Sequence, residues 1–137
     1  MKCFECSNTK FKRLAEDIVT DVGPCRVVDH RHEFDVCTKC GSFAIHYDVG
    51  RDIELHAAHM ALIGCDAFSG EILKFARKAL GLTQRELGER LGRAPETISR
   101  NERSPELDAE LRFALVGLVA AAMNPDGFDG VEVNRAG

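Results

Sequence analysis

Four cysteines carry the clearest chemistry in this sequence. Cys3 and Cys6 form one Cys-x-x-Cys pair, and Cys37 and Cys40 form a second. Two intervening residues let a tight turn aim both thiolates at one ion, and two such turns complete a tetrahedron with metal–sulfur bonds of about 2.3 Å. The pattern predicts one structural Zn²⁺. Four protein thiolates leave no coordination position for water, so a catalytic role is not expected. Gly41 follows Cys40, where such a turn favours positive φ. A redox dithiol would open a helix in a βαβ context, and neither pair has one. His30 and His32 are alternative ligands by type but read as polar strand residues. Cys25 and Cys65 lack partners at ligand spacing and read as small buried residues.

The second chemical signal is charge. The chain of 137 residues has a formal net charge of −4, which argues against nucleic acid until the charges are located. Residues 1–68 carry eight Lys/Arg against eleven Asp/Glu, whereas residues 74–103 carry eight against four. Phosphate binding follows the local field, so the second segment is the one to place against DNA. No apolar run reaches the roughly 18–20 residues of a membrane span, and the first residues hold no apolar signal core. A cytoplasmic protein with no membrane association is expected. No nucleophile–base pair and no phosphate loop is present, so the chain is not read as an enzyme.

The elements that position these residues follow from periodicity. Val28, His30, His32, Phe34 and Val36 alternate at period two and predict a strand over 27–36, with Phe11–Val22 as its partner across the Val22-Gly23-Pro24 turn. Residues 43–47 are a third strand candidate. Asp48 or Asp52 is expected to cap a helix running to about Ile63, and a second helix to run from Gly70 or Glu71 to Leu80. Thr83 with Glu86 predicts a capping box, and Gly92 ends that helix. Ala94, Pro95 and Glu96 open another, with Ile98 inward and Glu96, Thr97, Arg100 and Asn101 outward. The last helix, Glu106 to about Met123, is apolar on more than one face, which predicts a homodimer; Asn124-Pro125-Asp126-Gly127 is expected to end it. The fold class expected is α+β: a small zinc-bound β domain with a helix over 1–68, an all-α helix-turn-helix domain over 69–124, and a flexible tail over 125–137.

Residues 71–103 resemble the XRE/Cro-repressor type of helix-turn-helix. The match lies in Leu82-Thr83-Gln84, Leu87-Gly88, Leu91-Gly92, Thr97-Ile98-Ser99 and Glu102. The resemblance implies that Thr83 and Gln84 contact phosphate. It also implies that Glu96, Thr97 and Arg100, with Asn101 beside them, face base edges of double-stranded DNA. An arginine such as Arg100 can bond bidentately to guanine, which discriminates by about 1–3 kcal/mol. Over residues 3–123 the chain is similar to the MqsA-type antitoxins with their YgiT-type zinc finger. That similarity implies a zinc domain that neutralises a toxin, commonly a basic mRNA-cleaving ribonuclease. It further implies a dimer that represses its own operon at a palindromic operator. The alternative is a zinc-finger/helix-turn-helix regulator with no toxin partner.

Overall fold

Residues 11–37 fold as one long hairpin that breaks in its middle. Strands β1 (Phe11–Ala15) and β2 (Ile18–Val22) form one arm, and β3 (Cys25–Asp29) and β4 (Glu33–Cys37) form the other. At the tip, Val22 pairs with Cys25 across Gly23-Pro24. The structure, a computed structural model, describes residues 1–123 and 131–135. Among the described residues the chain is α+β, with two small antiparallel sheets of order β1-β4 and β2-β3-β5, where β5 is Val131–Arg135.

The break alters the face reading made from the sequence. Cys25, Val27 and Asp29 are buried on β3, but Phe34 and Val36 are buried on β4. The buried set thus changes from odd to even positions, because residues 30–32 leave the ladder and reset the alternation. Phe34 and Val36 face inward as expected, whereas Val28 is half-buried and His30 is exposed. Residues 43–46 are not a strand. Residues 131–135, expected within a flexible tail, instead pair with β3. The remainder of that tail, and the Asn124–Gly127 stop, lie outside the described residues.

Five helices follow: α1 (Tyr47–Gly64), α2 (Gly70–Ala79), α3 (Gln84–Leu91), α4 (Pro95–Glu102) and α5 (Ala109–Ala122). Helix α1 begins without a side-chain cap at His46, so neither Asp48 nor Asp52 caps it. Asp108 caps α5 by accepting from the Leu111 N–H at 2.8 Å. One apolar core runs through Val22 and Val27 of the sheet, Leu62 of α1, Leu73 of α2, and Leu111 and Leu115 of α5. That core has members on both sides of the boundary expected between residues 68 and 69.

Two links reinforce that continuity. Cys25 and Cys65 are buried, as read from the sequence, but they are joined to each other in a disulfide that the reading did not foresee. It ties the start of β3 to the residue that ends α1 and closes a loop over a sequence separation of 40. In the chain-entropy account a loop of that size is worth on the order of 4 kcal/mol. The guanidinium of Arg112 on α5 donates to the carbonyls of Leu62 and Cys65, so α5 grips the last turn of α1.

A buried charge cluster joins the hairpin to α1. Asp29 is 2% exposed, yet Arg31 meets it with Nε at 2.9 Å and Nη2 at 2.7 Å, and the same Nη2 reaches Asp52 at 2.9 Å. Burial favours the neutral acid of Asp29. Hydrogen bonds from the Arg31 side chain and backbone, with the charges of Arg31 and His32, outweigh it and hold the carboxyl below its usual 3.8. A carboxylate with a depressed folded value stabilises above its unfolded value, and that contribution disappears as pH falls through the folded one. Asp29→Asn should therefore be less stable than the parent at neutral pH and lose less on acidification below about pH 4. Urea unfolding at pH 7 and pH 3 checks this, and identical acid sensitivity in the two proteins would refute it.

Candidate metal centre and basic helical face

The two Cys-x-x-Cys turns have one design. In the first, the Ser7 N–H donates to the Cys3 carbonyl at 2.9 Å; in the second, the Gly41 N–H donates to the Cys37 carbonyl at 3.0 Å. The closing residue is left-handed in both, with φ +62° at Ser7 and +77° at Gly41. The expectation for Gly41 is met, and Ser7 occupies the equivalent position. A further backbone bond anchors each turn, from the Cys3 N–H to the Asn8 carbonyl at 2.8 Å and from the Cys37 N–H to the Ser42 carbonyl at 2.9 Å. Pairing of β1 with β4, with Phe11 opposite Cys37, brings the turns together.

All four Sγ atoms lie within 4.8 Å of one another. Cys3 and Cys40 are 3.6 Å apart and Cys6 and Cys37 are 3.5 Å apart. A tetrahedral thiolate shell with bonds of about 2.3 Å has sulfur–sulfur edges of about 3.8 Å, so these positions fit a metal ion with little adjustment. Cys3, Cys6, Cys37 and Cys40 could thus hold one metal ion, as their spacing predicted.

The surrounding groups favour negative sulfur. The Ser42 hydroxyl is 2.8 Å from the Cys40 Sγ and 3.4 Å from the Cys3 Sγ. The Asn8 amide donates to the Cys37 Sγ at 3.4 Å. Hydrogen bonds to the charged form lower a thiol's pKa. Cys37 is lowered to about 5, chiefly by the Cys40 N–H, with Asn8 and the Lys39 N–H adding to it against burial. Cys3 is lowered as well, first by Ser42 and then by the Cys6 N–H. At Cys6 the Asn8 N–H pulls downward, but burial and proton sharing with Cys37, Cys40 and Cys3 together push it up to about 12. The chain by itself thus favours some of the four thiolates, and a bound cation would favour the rest over their protonated forms. Asn8 and Ser42 escaped the sequence reading. Each stands two places after the second cysteine of its pair, and that shared offset was the available signal.

The second set of candidate residues lies on α3 and α4. Thr83 caps α3: its hydroxyl accepts from the Glu86 N–H at 3.1 Å, and the Glu86 carboxylate accepts from the Thr83 N–H at 3.0 Å. Gly92, with φ +69°, ends the helix, and Gly88 packs so closely on the α3–α4 turn that a Cβ there would strike the Arg93 carbonyl. On α4, Ile98 is fully buried, while Glu96 and Arg100 are exposed one turn apart and Thr97 is half-buried. Two expected outward residues are partly committed elsewhere. The Gln84 amide donates to Glu102 at 2.9 Å. Asn101 is half-buried, with an Nδ2 that is buried and has no hydrogen-bond partner among the described residues.

Glu102 is the hub beneath this face. Its carboxylate is 2.6 Å from Nε of Arg77, and Arg77 also donates to the Leu82 carbonyl at 3.0 Å. The pair cancels inside the protein, so the field outside comes from the other residues of 74–103. Lys74, Lys78, Arg85, Arg90, Arg100 and Arg103 are exposed and Arg93 is half-buried, against exposed Glu86, Glu89 and Glu96. Arg85 spends part of its charge on Glu89 at 3.6 Å.

Fold and site together define an α+β protein with a four-cysteine cluster able to hold a metal, joined to a helical unit whose outer face is basic. No helix among the described residues is long and apolar enough to cross a membrane. Comparison with known proteins finds no family model that matches the chain and no curated protein that matches it.

Proposed function

We propose that this chain is a zinc-stabilised, dimeric DNA-binding repressor of the XRE helix-turn-helix type, and that it serves as the antitoxin of a ribonuclease toxin. The observation that carries the DNA-binding part is the outer face of residues 74–103. It presents six exposed Lys/Arg against three exposed Glu, with Arg100 projecting from α4. Buried Ile98 and Glu102 fix the opposite side of that helix. Phosphate contacts, with Thr83 and Gln84 among them, supply affinity; Arg100, with Glu96, Thr97 and Asn101, supplies base preference.

Helix α5 supports the dimer. It buries only Leu111, Leu115 and Val119, and leaves Phe113 74% exposed with Ala114, Gly117 and Ala121 beside it on the outer surface. A second copy covering that face would place two α4 helices on successive major-groove faces about 34 Å apart. The toxin part is supported by charge. Residues 1–68 carry a net −3, and four thiolates with Zn²⁺ add about −2 more. An acidic surface suits a basic ribonuclease. In this reading the chain acts by binding, without catalysis.

Arg100→Ala tests the central claim. Measured by anisotropy on a duplex from upstream of the chain's own coding sequence, it should lose about 1–3 kcal/mol of preference over random duplex while keeping its fold. An unchanged preference would remove Arg100 from base reading. Co-purification with the product of the adjacent reading frame tests the toxin assignment.

A further inference from the structure

A groove of about 310 Å³ separates the first turns of α1 from the last turn of α2. His46, Tyr47, Arg51 and Glu54 line one wall, and Lys78 and Gly81 line the other. Nothing in the sequence reading used it, and the residues on its two walls come from opposite sides of the supposed domain boundary. Its composition departs from its surroundings. Residues 1–68 are acidic as a whole, yet this edge of α1 contributes Arg51 and His46 to the same groove that Lys78 lines, against the single carboxylate of Glu54. Arg51 and Lys78 are exposed, and neither has an ion-pair partner among the described residues. Tyr47 is 79% exposed at the rim. An aromatic ring that large gains nothing from water, and its hydroxyl is a hydrogen-bond donor.

The position matters as much as the charge. Gly81 stands two residues before Thr83, the cap of α3. The wall formed by Lys78 and Gly81 is therefore continuous in sequence with the N-terminus of α3, where phosphate contact is proposed. Lys74 and Lys78 lie one turn apart on α2 and are both exposed, so a row of cations leads from α2 across the groove to Arg51.

We infer that this groove is a second phosphate-binding surface for duplex DNA, in which Arg51 and Lys78 hold the backbone next to the phosphate contacted at Thr83 and Gln84. The inference rests on the DNA-binding reading above and extends it from the helix-turn-helix to α1. These contacts touch no base edges. They set affinity and orientation and carry no sequence preference. Glu54 opposes them, so its neutralisation strengthens binding.

The test uses the full metal-loaded chain and two duplexes of equal length, one from upstream of its own coding sequence and one random. Each phosphate contact contributes close to one unit to the slope of log K against log salt, and at about 0.15 M salt its loss costs about fivefold in affinity. Arg51→Gln and Lys78→Gln should each lower the slope by about one and weaken both duplexes by about fivefold. Glu54→Gln should tighten both. Lys12→Gln, an exposed cation on β1, is the control for net charge and should leave the slope unchanged. Parent-like slopes for Arg51→Gln and Lys78→Gln overturn the inference while leaving the DNA reading intact. Equal losses in the Lys12 control also overturn it, because the effect is then net charge alone. Failure of the parent chain to bind either duplex overturns the DNA reading and this inference with it.

Discussion

Stripping the metal from Cys3, Cys6, Cys37 and Cys40 should unfold the hairpin end of the molecule while the helical core persists. The reason is the small amount of apolar packing at that end. Phe34, Val36 and Ile53 are its buried cluster, with Ile18, Phe43 and Val49 partly covering them. The main core lies elsewhere, on β2, β3 and the helices, and the Cys25–Cys65 disulfide holds it. Four thiolates around zinc are worth on the order of 10 kcal/mol, at least as much as the roughly 5–9 kcal/mol that three buried side chains supply. Without the ion, four sulfurs within 4.8 Å cannot all stay negative, and protons must return to them. The purified chain should carry one zinc per molecule by elemental analysis. A strong chelator under non-reducing conditions should abolish hydrogen-exchange protection across β1 and β4 and leave α2 and α5 protected. Cys37→Ser should bind metal at least a hundredfold more weakly, since a neutral hydroxyl replaces the thiolate the fold stabilises most. A metal-free chain with unchanged protection in β1 and β4 would refute the structural role.

The second large effect is expected at Glu102. Arg77 is 12% exposed at its side chain and Glu102 4%, and their contact at 2.6 Å locks α2 against the end of α4. Glu102→Gln keeps the shape but removes the charge. Its amide oxygen can replace only one of the two carboxylate oxygens that accept from Arg77 and Gln84, its nitrogen accepts from neither, and a buried cation is left without its counter-ion. Breaking one side of a buried pair costs about 3–5 kcal/mol, whereas replacing both partners by apolar residues is often neutral. Glu102→Gln should therefore lower stability by about 3–5 kcal/mol, and Arg77→Met with Glu102→Leu by much less. Urea unfolding of the three proteins checks this. A loss below about 1 kcal/mol for Glu102→Gln would mean that water already reaches the pair. The same substitution frees the Gln84 amide from Glu102, so a change in DNA affinity larger than the stability loss explains would tie this hub to the phosphate contact.

Local signals in the sequence translated well. The Cys-x-x-Cys spacing, the positive φ at Gly41, the Thr83–Glu86 capping box and the stop at Gly92 are each settled within about five residues of chain. Their geometry depends on backbone hydrogen bonds that neighbours make with one another, so residue types in order are sufficient information. Strand alternation was less reliable. It gave Phe34 and Val36 correctly but failed at Val28 and His30, because the break at residues 30–32 leaves no mark in polarity.

The sequence by itself determined which four cysteines come together at a site that could hold a metal, the cap and stop of α3, and the segment in which positive charge concentrates. The tertiary structure alone decided which distant groups meet. It joined Cys25 to Cys65, where six cysteines allow many pairings and spacing favours none. It brought Arg31 to Asp29 and Asp52, buried Glu102 under Arg77 and Gln84, and placed Val131–Arg135 on the edge of β3. It also put Arg51 of α1 and Lys78 of α2 on the lining of one groove. Such contacts arise because continuous apolar packing fixes the helices and sheets relative to one another. A residue's charge or thiol can be read from the chain, but its partner is chosen by that packing.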